Sequence, residues 1–162
     1  MYACRTNPKR GLAVWCWGEA VASAEDWQRH LADIQEVGTW THLISRPCVI
    51  LHLMGGRFVP NATQRRDIAR LSGAPDYRPN IAIVSRNPVI RTVIRMFAWQ
   101  QGAQAYRVRA HTEVDEAIAW LEEDRGDPLP ELRTLLAAAE DALGVAAGSQ
   151  PASARHTGGS PQ

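Results

Sequence analysis

The 162-residue chain lacks several features that would define its class at once. It has no apolar run near the roughly 20 residues needed to cross a bilayer, so we expect no membrane span. Its first ten residues lack the apolar core of a secretion signal, which predicts a cytoplasmic protein. Its three cysteines show neither the close pairs typical of a zinc site nor the density of a disulfide scaffold. We therefore expect reduced thiols and no bound metal.

Lysine is nearly absent, and the net charge of +1 conceals an uneven distribution of the 18 basic residues. Residues 41–111 contain eleven arginines and two acids, whereas residues 112–141 contain ten acids and two arginines. Such a split can mark a nucleic-acid or phosphate partner. The alternative is that the two segments pair with each other or stay solvated. We favour this alternative and expect no nucleic-acid partner; salt-dependent retention on DNA or RNA would indicate otherwise.

Turn-forming and apolar residues divide the chain into short elements. Two β-prone runs flank a loop that contains Pro8 and Gly11, which predicts a β-hairpin. Its second run is apolar throughout, as in a strand covered on both faces. The predicted order is strands 2–6 and 12–17, helix 23–36 ended by Gly38, strand 48–53, helix 61–71, strand 81–84, a helix from Pro88 to Gly102, strand 105–108, a helix capped by Thr112 with Asp115, and helix 129–143.

A hairpin followed by alternating helices and strands predicts an α/β sandwich with one mixed sheet. Right-handed crossovers make its central strands parallel and cover them with helices. We assign residues 1–126 to this α/β domain and residues 127–143 to an extra C-terminal helix. Residues 144–162 carry almost no large apolar groups, so burial cannot offset their ordering entropy. We expect them to form a disordered tail.

A binding site in such a sheet favours the loops at the carboxyl ends of the parallel strands. Residues 54–63 and 85–88 are two such loops, and both lead into helix N-termini that favour an anion or a phosphorylated side chain. For the Gly-Gly-Arg run in the first loop we favour a turn that needs positive φ over an anion-binding nest. The residues expected to contact a partner or an anion are Gly55, Gly56, Arg57, Asn61, Arg65, Arg66, Ser85 and Arg86.

The run Val-Trp-Cys-Trp-Gly-Glu-Ala at 14–20, then an amphipathic helix, strand 49–53 and a loop into a helix, resembles a STAS domain. This family contains the anti-sigma-factor antagonists of bacterial partner-switching systems. The likeness covers residues 1–122 and rests on element order and on a Gly-Glu pair after the second strand. It implies a non-enzymatic, cytoplasmic signal-transduction domain without a cofactor. Its partner would be a protein, such as a serine kinase or an anti-sigma-like regulator.

The resemblance also implies a phosphorylation switch, because many members are modified at a Ser or Thr that opens the second helix. Here the sequence departs from the family. The family's central strand commonly ends in Asp, followed by a loop and Asp-Ser-Ser-Gly, whereas this chain has His52 at the Asp position. A gapless alignment places Ala62 at the acceptor position, and a one-residue shift places Thr63 there. Thr63 is the candidate phosphoacceptor, with a plain helix-cap role as the alternative.

The sequence contains no catalytic constellation, and we expect no enzyme activity. The five histidines show no metal-ligand spacing, and the clustered carboxylates have no partner for acid–base chemistry. The alternative is a small α/β domain that binds or acts on a phosphorylated or carboxylated metabolite at the same rim. It requires a pocket lined by Arg57, Arg65 or Arg86. No oligomeric state is indicated.

Tryptophan is abundant, with six residues in the chain. We expect Trp15 and Trp17 to pack on one face of the sheet, and Trp27, Trp99 and Trp120 to lie in or beside the core. Trp40, if exposed, is an interface candidate.

Overall fold

The predicted α/β fold is confirmed: a five-stranded mixed sheet has helices on both faces. The computed structural model describes residues 1–40, 43–44, 46–55, 60–74, 77–100 and 107–148, without the side chains of 97–100 and 145–148. The elements are β1 (Tyr2–Asn7), β2 (Leu12–Trp17), α1 (Ala24–Trp40), β3 (Val49–Met54), α2 (Ala62–Ser72), β4 (Asn80–Val84), α3 (Pro88–Gln100), β5 (Arg107–His111), α4 (Val114–Arg125) and α5 (Glu131–Gly148).

The strands lie in the order β1-β2-β3-β4-β5, which equals their order along the chain. The β1–β2 pair is antiparallel, and β2 to β5 are parallel. Right-handed crossovers that always step in the same direction place their helices on the same face. Helices α1, α2 and α3 accordingly pack on one face of the sheet, and α4 and α5 cover the other.

Alternation along β2 supplies both faces with apolar side chains, as its sequence predicted. Leu12, Val14 and Cys16 contribute to a core cluster with α4 and α5, the α4/α5 face. Trp15 and Trp17 contribute to a cluster with α1 and α2 on the opposite side, the α1–α3 face. All six residues of the strand are buried. The prediction that these two tryptophans share one face is confirmed.

The N-terminal hairpin and the first helix begin as their sequences predict. Gly11 closes the hairpin with φ at +65°, in the left-handed region that favours glycine. Ser23 and Asp26 form the predicted capping box: the Ser23 backbone N–H donates to the Asp26 carboxylate, and the Asp26 N–H donates to Ser23 Oγ. Asp26 also accepts a hydrogen bond from the backbone N–H of Tyr2, which ties α1 to β1.

Several predicted boundaries are wrong, each because tertiary contacts outweigh a local signal. Helix α1 continues through Gly38 because Val37 and Trp40 are buried, and that burial exceeds the roughly 1 kcal/mol cost of a helical glycine. Trp40 is therefore a core residue and presents no exposed interface. Glu113 occupies the N-cap position of α4 without a side-chain cap bond, so the predicted Thr112 cap is absent.

Two further boundaries move toward the C-terminus. Strand β5 spans Arg107–His111 instead of residues 105–108. Helix α5 continues to Gly148, so the segment predicted as a tail begins as helix. Residues 149–162 of the predicted tail lie outside the described residues, as does the side chain of Trp99.

Ion pairs connect the arginine-rich segment with the acidic segment that follows it. Arg46 contacts Asp127 at 3.2 Å, and Arg107 contacts Asp124. Some arginines thus pair with the acidic segment, as one of the two predictions had it, whereas Arg66 and Arg70 are exposed, as the other had it.

The described cysteines are free thiols, and two of them cannot approach each other across the hairpin. Cys4 lies opposite Trp15 in the β1–β2 register, and Cys16 lies opposite Ala3. Alternation places Cys4 on the α1–α3 face and Cys16 on the α4/α5 face. Within the part of the chain that the structure describes, no helix is both long and apolar enough to cross a membrane.

Candidate functional site

The two loops predicted to form a rim lie at one edge of the sheet. Strands β2 to β5 are parallel, so all of them end at this edge, which we call the carboxyl edge. Leu53 of β3 pairs with Val84 of β4, which places the loops after these strands side by side. Gly55 begins the first of these loops and Ser85 begins the second. Gly56 and Arg57 lie outside the described residues.

Gly55 is needed for close backbone approach and does not have the positive φ predicted for the Gly-Gly-Arg run, whose other two residues lie outside the described residues. The described non-helical glycines with positive φ are Gly11 and Gly126, not Gly55. The Gly55 N–H donates a 3.0 Å hydrogen bond to the Trp17 carbonyl. A Cβ at position 55 would lie 2.4 Å from that carbonyl oxygen. The glycine thus allows the start of the rim loop to pack directly against the end of β2.

The N-terminus of α2 is capped by Asn61, which leaves Thr63 free of that role. The Asn61 side chain accepts from the Gln64 N–H at 3.0 Å, and the Gln64 side chain accepts from the Asn61 N–H at 2.8 Å. This is a complete capping box. Thr63 lies in the first helical turn and is exposed. Between the two roles that the sequence left open for Thr63, the cap role belongs to Asn61.

The predicted arginines of the rim differ in their surroundings. Arg65 donates to the Pro60 carbonyl at 2.6 Å, and Arg66 is exposed on the same helix. Arg86 is exposed and lies 3.7 Å from the Glu113 carboxylate. These side chains surround the carboxyl edge without converging on one point.

Ser85 stabilises the turn after β4 and is only 2% exposed. Its N–H donates to the His111 carbonyl, and its Oγ accepts from the Asn87 N–H at 3.3 Å. Its carbonyl accepts from the Arg91 guanidinium at 2.8 Å. Ser85 therefore lies at the rim as predicted, but its hydroxyl faces the protein and a docked macromolecule would contact the residues around it.

A cavity of about 160 Å³, which we call the aromatic cavity, lies between the sheet and α1–α3. Sequence reasoning treated its residues one by one and did not place them together. The signals were present, since Trp15 and Trp17 alternate on one strand and His52 follows on the next strand's matching face. The rings that line the cavity are those of Trp15, Trp17, Trp27, His30, His52 and Tyr77.

Two buried histidines meet inside the aromatic cavity. The ring centroids of His30 and His52 are 5.4 Å apart, and both rings stand nearly perpendicular to the Trp15 indole. Burial lowers the pKa of His52 to about 4. Burial, together with the neighbouring His52, lowers the pKa of His30 well below its usual value. Both imidazoles are therefore neutral at pH 7, each with one N–H donor and one acceptor nitrogen.

A second concavity, the arginine cleft, lies at the end of β5. It has a volume of about 490 Å³. Burial and the nearby Arg109 lower the pKa of His111, and Glu116 opposes this. The charged and polar lining residues are Arg91, Arg95, Arg109, His111, Thr112 and Glu116.

The described thiols are poor nucleophiles. Burial raises the pKa of Cys16 to about 12 and that of Cys48 to about 11, so both are protonated at neutral pH. Nor do His, Cys, Asp and Glu side chains of the described ranges form a group of three that could hold a metal ion. The described residues present two concave surfaces beside an exposed helix N-terminus.

Comparison with known proteins leaves the site to be interpreted from its own chemistry. No family model, no curated protein and no solved structure matches this chain.

Proposed function

We propose that this chain is a non-enzymatic, STAS-like regulatory domain of a bacterial partner-switching system. Its carboxyl edge, from Gly55 to Arg66 and around Ser85, binds a protein partner. The observation that carries the proposal is the exposed Thr63 in the first turn of α2, beside two loops held together at one edge. The element order, a hairpin followed by parallel strands in sequence order, supports the same assignment.

Phosphorylation of Thr63 has a physical rationale at this position. A phosphate carries close to two negative charges at pH 7, and the N-terminal turn of a helix stabilises negative charge. Arg66 is exposed nearby on α2 and would attract it. Helix α2 has three arginines and one aspartate, so the same phosphate would cancel most of the positive charge that this helix presents to a partner.

The departure from the family at His52 constrains this function. His52 is buried in the aromatic cavity and does not extend into the rim loop. A kinase or partner would therefore engage Thr63 and the α2 arginines without an acidic side chain at the end of β3.

The test begins with capture of a partner from the native cytoplasm, followed by quantitative comparison of matched variants. Arg66→Glu reverses a charge on α2, and Arg133→Glu reverses an exposed charge on α5, which covers the opposite face. We expect Arg66→Glu to reduce capture of the partner at least tenfold and Arg133→Glu to leave it within twofold. Equal losses in both variants would contradict a site at the carboxyl edge.

The phosphorylation switch is tested separately with bacterial serine kinases and mass spectrometry. We expect phosphate at Thr63 in the wild type, no phosphate in Thr63→Ala, and weaker partner binding in Thr63→Glu. Thr92→Ala, at an exposed threonine of α3, is the control. Phosphate at another residue, with partner binding unchanged in Thr63→Glu, would reject Thr63 as the switch.

The arginine cleft favours a second candidate function, binding of an anionic metabolite at the rim. Three arginines and Thr112 line a concave volume at the end of β5, and such groups recognise phosphate or carboxylate; Glu116, which also lines it, is the one acidic residue that an anion would meet in the described part of the lining. This cleft is not lined by the arginines expected for such a pocket: Arg65 lines the aromatic cavity, Arg86 is exposed beside Glu113, and Arg57 lies outside the described residues.

Calorimetric titration with inorganic phosphate and with a small dicarboxylate tests this candidate. We expect saturable binding that Arg109→Ala weakens at least tenfold and that Arg70→Ala, at an exposed arginine of α2, leaves unchanged. A weak response that scales with ionic strength in all variants would show charge screening alone and exclude the metabolite site.

A further inference from the structure

We propose that the aromatic cavity is a binding site for a small neutral aromatic molecule that carries one hydrogen-bonding group, of the phenol or indole class. This site differs from the other two in what it binds, although it borders them: Pro60 and Arg65 also belong to the carboxyl edge, and Ile94 and Val108 also line the arginine cleft. It lies between the sheet and α1–α3, where the side chains of three helices converge.

The size of the cavity fits one aromatic ring. Its volume of about 160 Å³ is close to the roughly 150 Å³ of an engineered apolar cavity that takes up benzene. Between the rings, its walls are aliphatic, with Ile81, Ile83 and Val108 from the sheet and Ile90 and Ile94 from α3. A flat apolar molecule inside would contact carbon atoms on both sides. Its ring has no polar atoms whose removal from water would cost free energy.

Buried nitrogen atoms call for a hydrogen-bonding group on that molecule. Among the described residues, the Trp15 Nε1, His30 Nδ1 and His52 Nε2 atoms are inaccessible and have no partner within the protein. Their side chains are 2%, 2% and 8% exposed and line the cavity. A buried polar atom without a partner costs about 1–3 kcal/mol. One hydroxyl or N–H of a bound molecule would satisfy one of these atoms once an imidazole ring turns that nitrogen toward the cavity.

The charges around the cavity select a neutral ligand. Both histidines are uncharged at pH 7, and no described acidic residue lines the cavity. Arg65 is the one charged residue among the described lining residues, and its guanidinium is engaged with the Pro60 carbonyl. Moving a carboxylate or an ammonium group into this interior would cost several kcal/mol without an ionic partner.

A path to solvent exists between α2 and α3. Arg65 of α2 and Val93 of α3 both line the cavity, and both are exposed, with Val93 at 40%. The cavity therefore opens to the surface between these helices.

The test is titration of the full chain with phenol, indole, benzene and benzoate. Binding is monitored through the NMR resonances of the cavity residues and through tryptophan fluorescence. We expect saturable one-to-one binding of phenol and indole. Benzene should bind about five- to tenfold more weakly, since it leaves the nitrogen atoms unpaired. Benzoate should not bind. Equal affinities for phenol and benzoate would overturn the neutral-ligand assignment.

Variants locate the binding. Ile83→Phe fills the cavity from the sheet and should abolish phenol binding, whereas Val89→Phe on the exposed side of α3 should leave it within twofold. Ile90→Phe, which fills the cavity from α3, offers a second blocking variant if Ile83→Phe fails to fold, as judged by circular dichroism. If the cavity holds only water, no probe will show saturable binding to the wild type. That result would be sufficient to refute the proposal. Retention of partner capture in the blocked variant would separate this site from the proposed regulatory interface.

Discussion

The two faces of the sheet share the same strands but are packed in different ways. On the α4/α5 face, aliphatic side chains fill the interior, and Leu121, Leu129 and Leu132 are fully buried. On the α1–α3 face, indole, phenol and imidazole rings meet at interplanar angles from 27° to 88° and leave the aromatic cavity between them.

This difference shows how one strand can serve two purposes. Branched aliphatic side chains interdigitate at the density of a crystal, whereas large rigid rings meet edge to face and leave gaps at their corners. The α4/α5 face therefore contributes mainly stability. The α1–α3 face retains a cavity with buried polar atoms, which is the combination typical of a ligand site.

The largest expected effect compares the same truncation on the two faces. Ile118→Ala on the α4/α5 face should lower the free energy of unfolding by about 4 kcal/mol, because it opens a cavity in a filled core. Ile81 lines the aromatic cavity, so its side chain makes fewer contacts that truncation can remove. Ile81→Ala should therefore lower the free energy of unfolding by only about 2 kcal/mol. Urea denaturation measures both. A larger loss for Ile81→Ala would reverse the comparison.

The next effect is a pH dependence that originates on the α1–α3 face. His52 is neutral in the folded state with a pKa of about 4, whereas the unfolded chain takes up a proton near pH 6.5. The contribution of neutral His52 is thus complete above pH 6.5 and is lost as the pH falls toward 4. His52 alone should remove about 3 kcal/mol from the free energy of unfolding over this window.

The measurement is the free energy of unfolding between pH 7 and pH 4.5, compared with His52→Asn. The free energy of unfolding of His52→Asn should fall less steeply with decreasing pH in this range, since the asparagine side chain does not titrate. Identical slopes in the two proteins would show that His52 is accessible to protons in the folded state.

A methylene added on each face tests packing from the opposite direction. Val49→Ile on the α4/α5 face should cost about 1–3 kcal/mol, because Val49 is fully buried among filled neighbours. Val108→Ile extends into the aromatic cavity and should change stability by less than about 0.5 kcal/mol. Thermal denaturation of the two variants provides the measurement, and equal destabilisation would mean that the cavity closes in solution.

The smallest effect distinguishes a true helix cap from an apparent one. Asn61→Ala should cost about 1 kcal/mol, because it removes the capping box of α2 at the mouth of the α1–α3 face. Thr112→Ala, before α4 on the other face, should cost less than about 0.5 kcal/mol, since no described side chain caps that helix. A comparable loss of stability in Thr112→Ala would indicate that Thr112 caps α4 after all, as the sequence predicted.

Element type and order were predictable from the sequence, because they follow from local patterns. The apolar run at β2, the Ser23–Asp26 capping box and Pro88 in the first turn of α3 all appear where their sequences place them. Errors arose where a local signal competed with burial. Gly38 is a helix-stop residue by propensity, but Trp40 two residues later is held in the core.

The rim was predictable for the same reason, since parallel strands end at one edge whatever their side chains are. The exposure and the hydrogen-bond partners of each rim residue were not predictable. Ser85 has the composition of an accessible turn residue, and only the approach of β5 and Arg91 encloses it. The pairing of His30 with His52 is equally invisible along the chain, because they lie on a helix and a strand that only the crossover brings together.

By itself the sequence determined the class of the fold, the alternation that gives the sheet two apolar faces and the position of the loops at its carboxyl edge. These follow from backbone sterics, capping and the two-residue period of a strand, which act between near neighbours. Only the tertiary structure decided which face is filled and which holds a cavity, and which polar atoms are left without partners there. Packing density and desolvation depend on residues that are distant in sequence, so no local pattern can specify them.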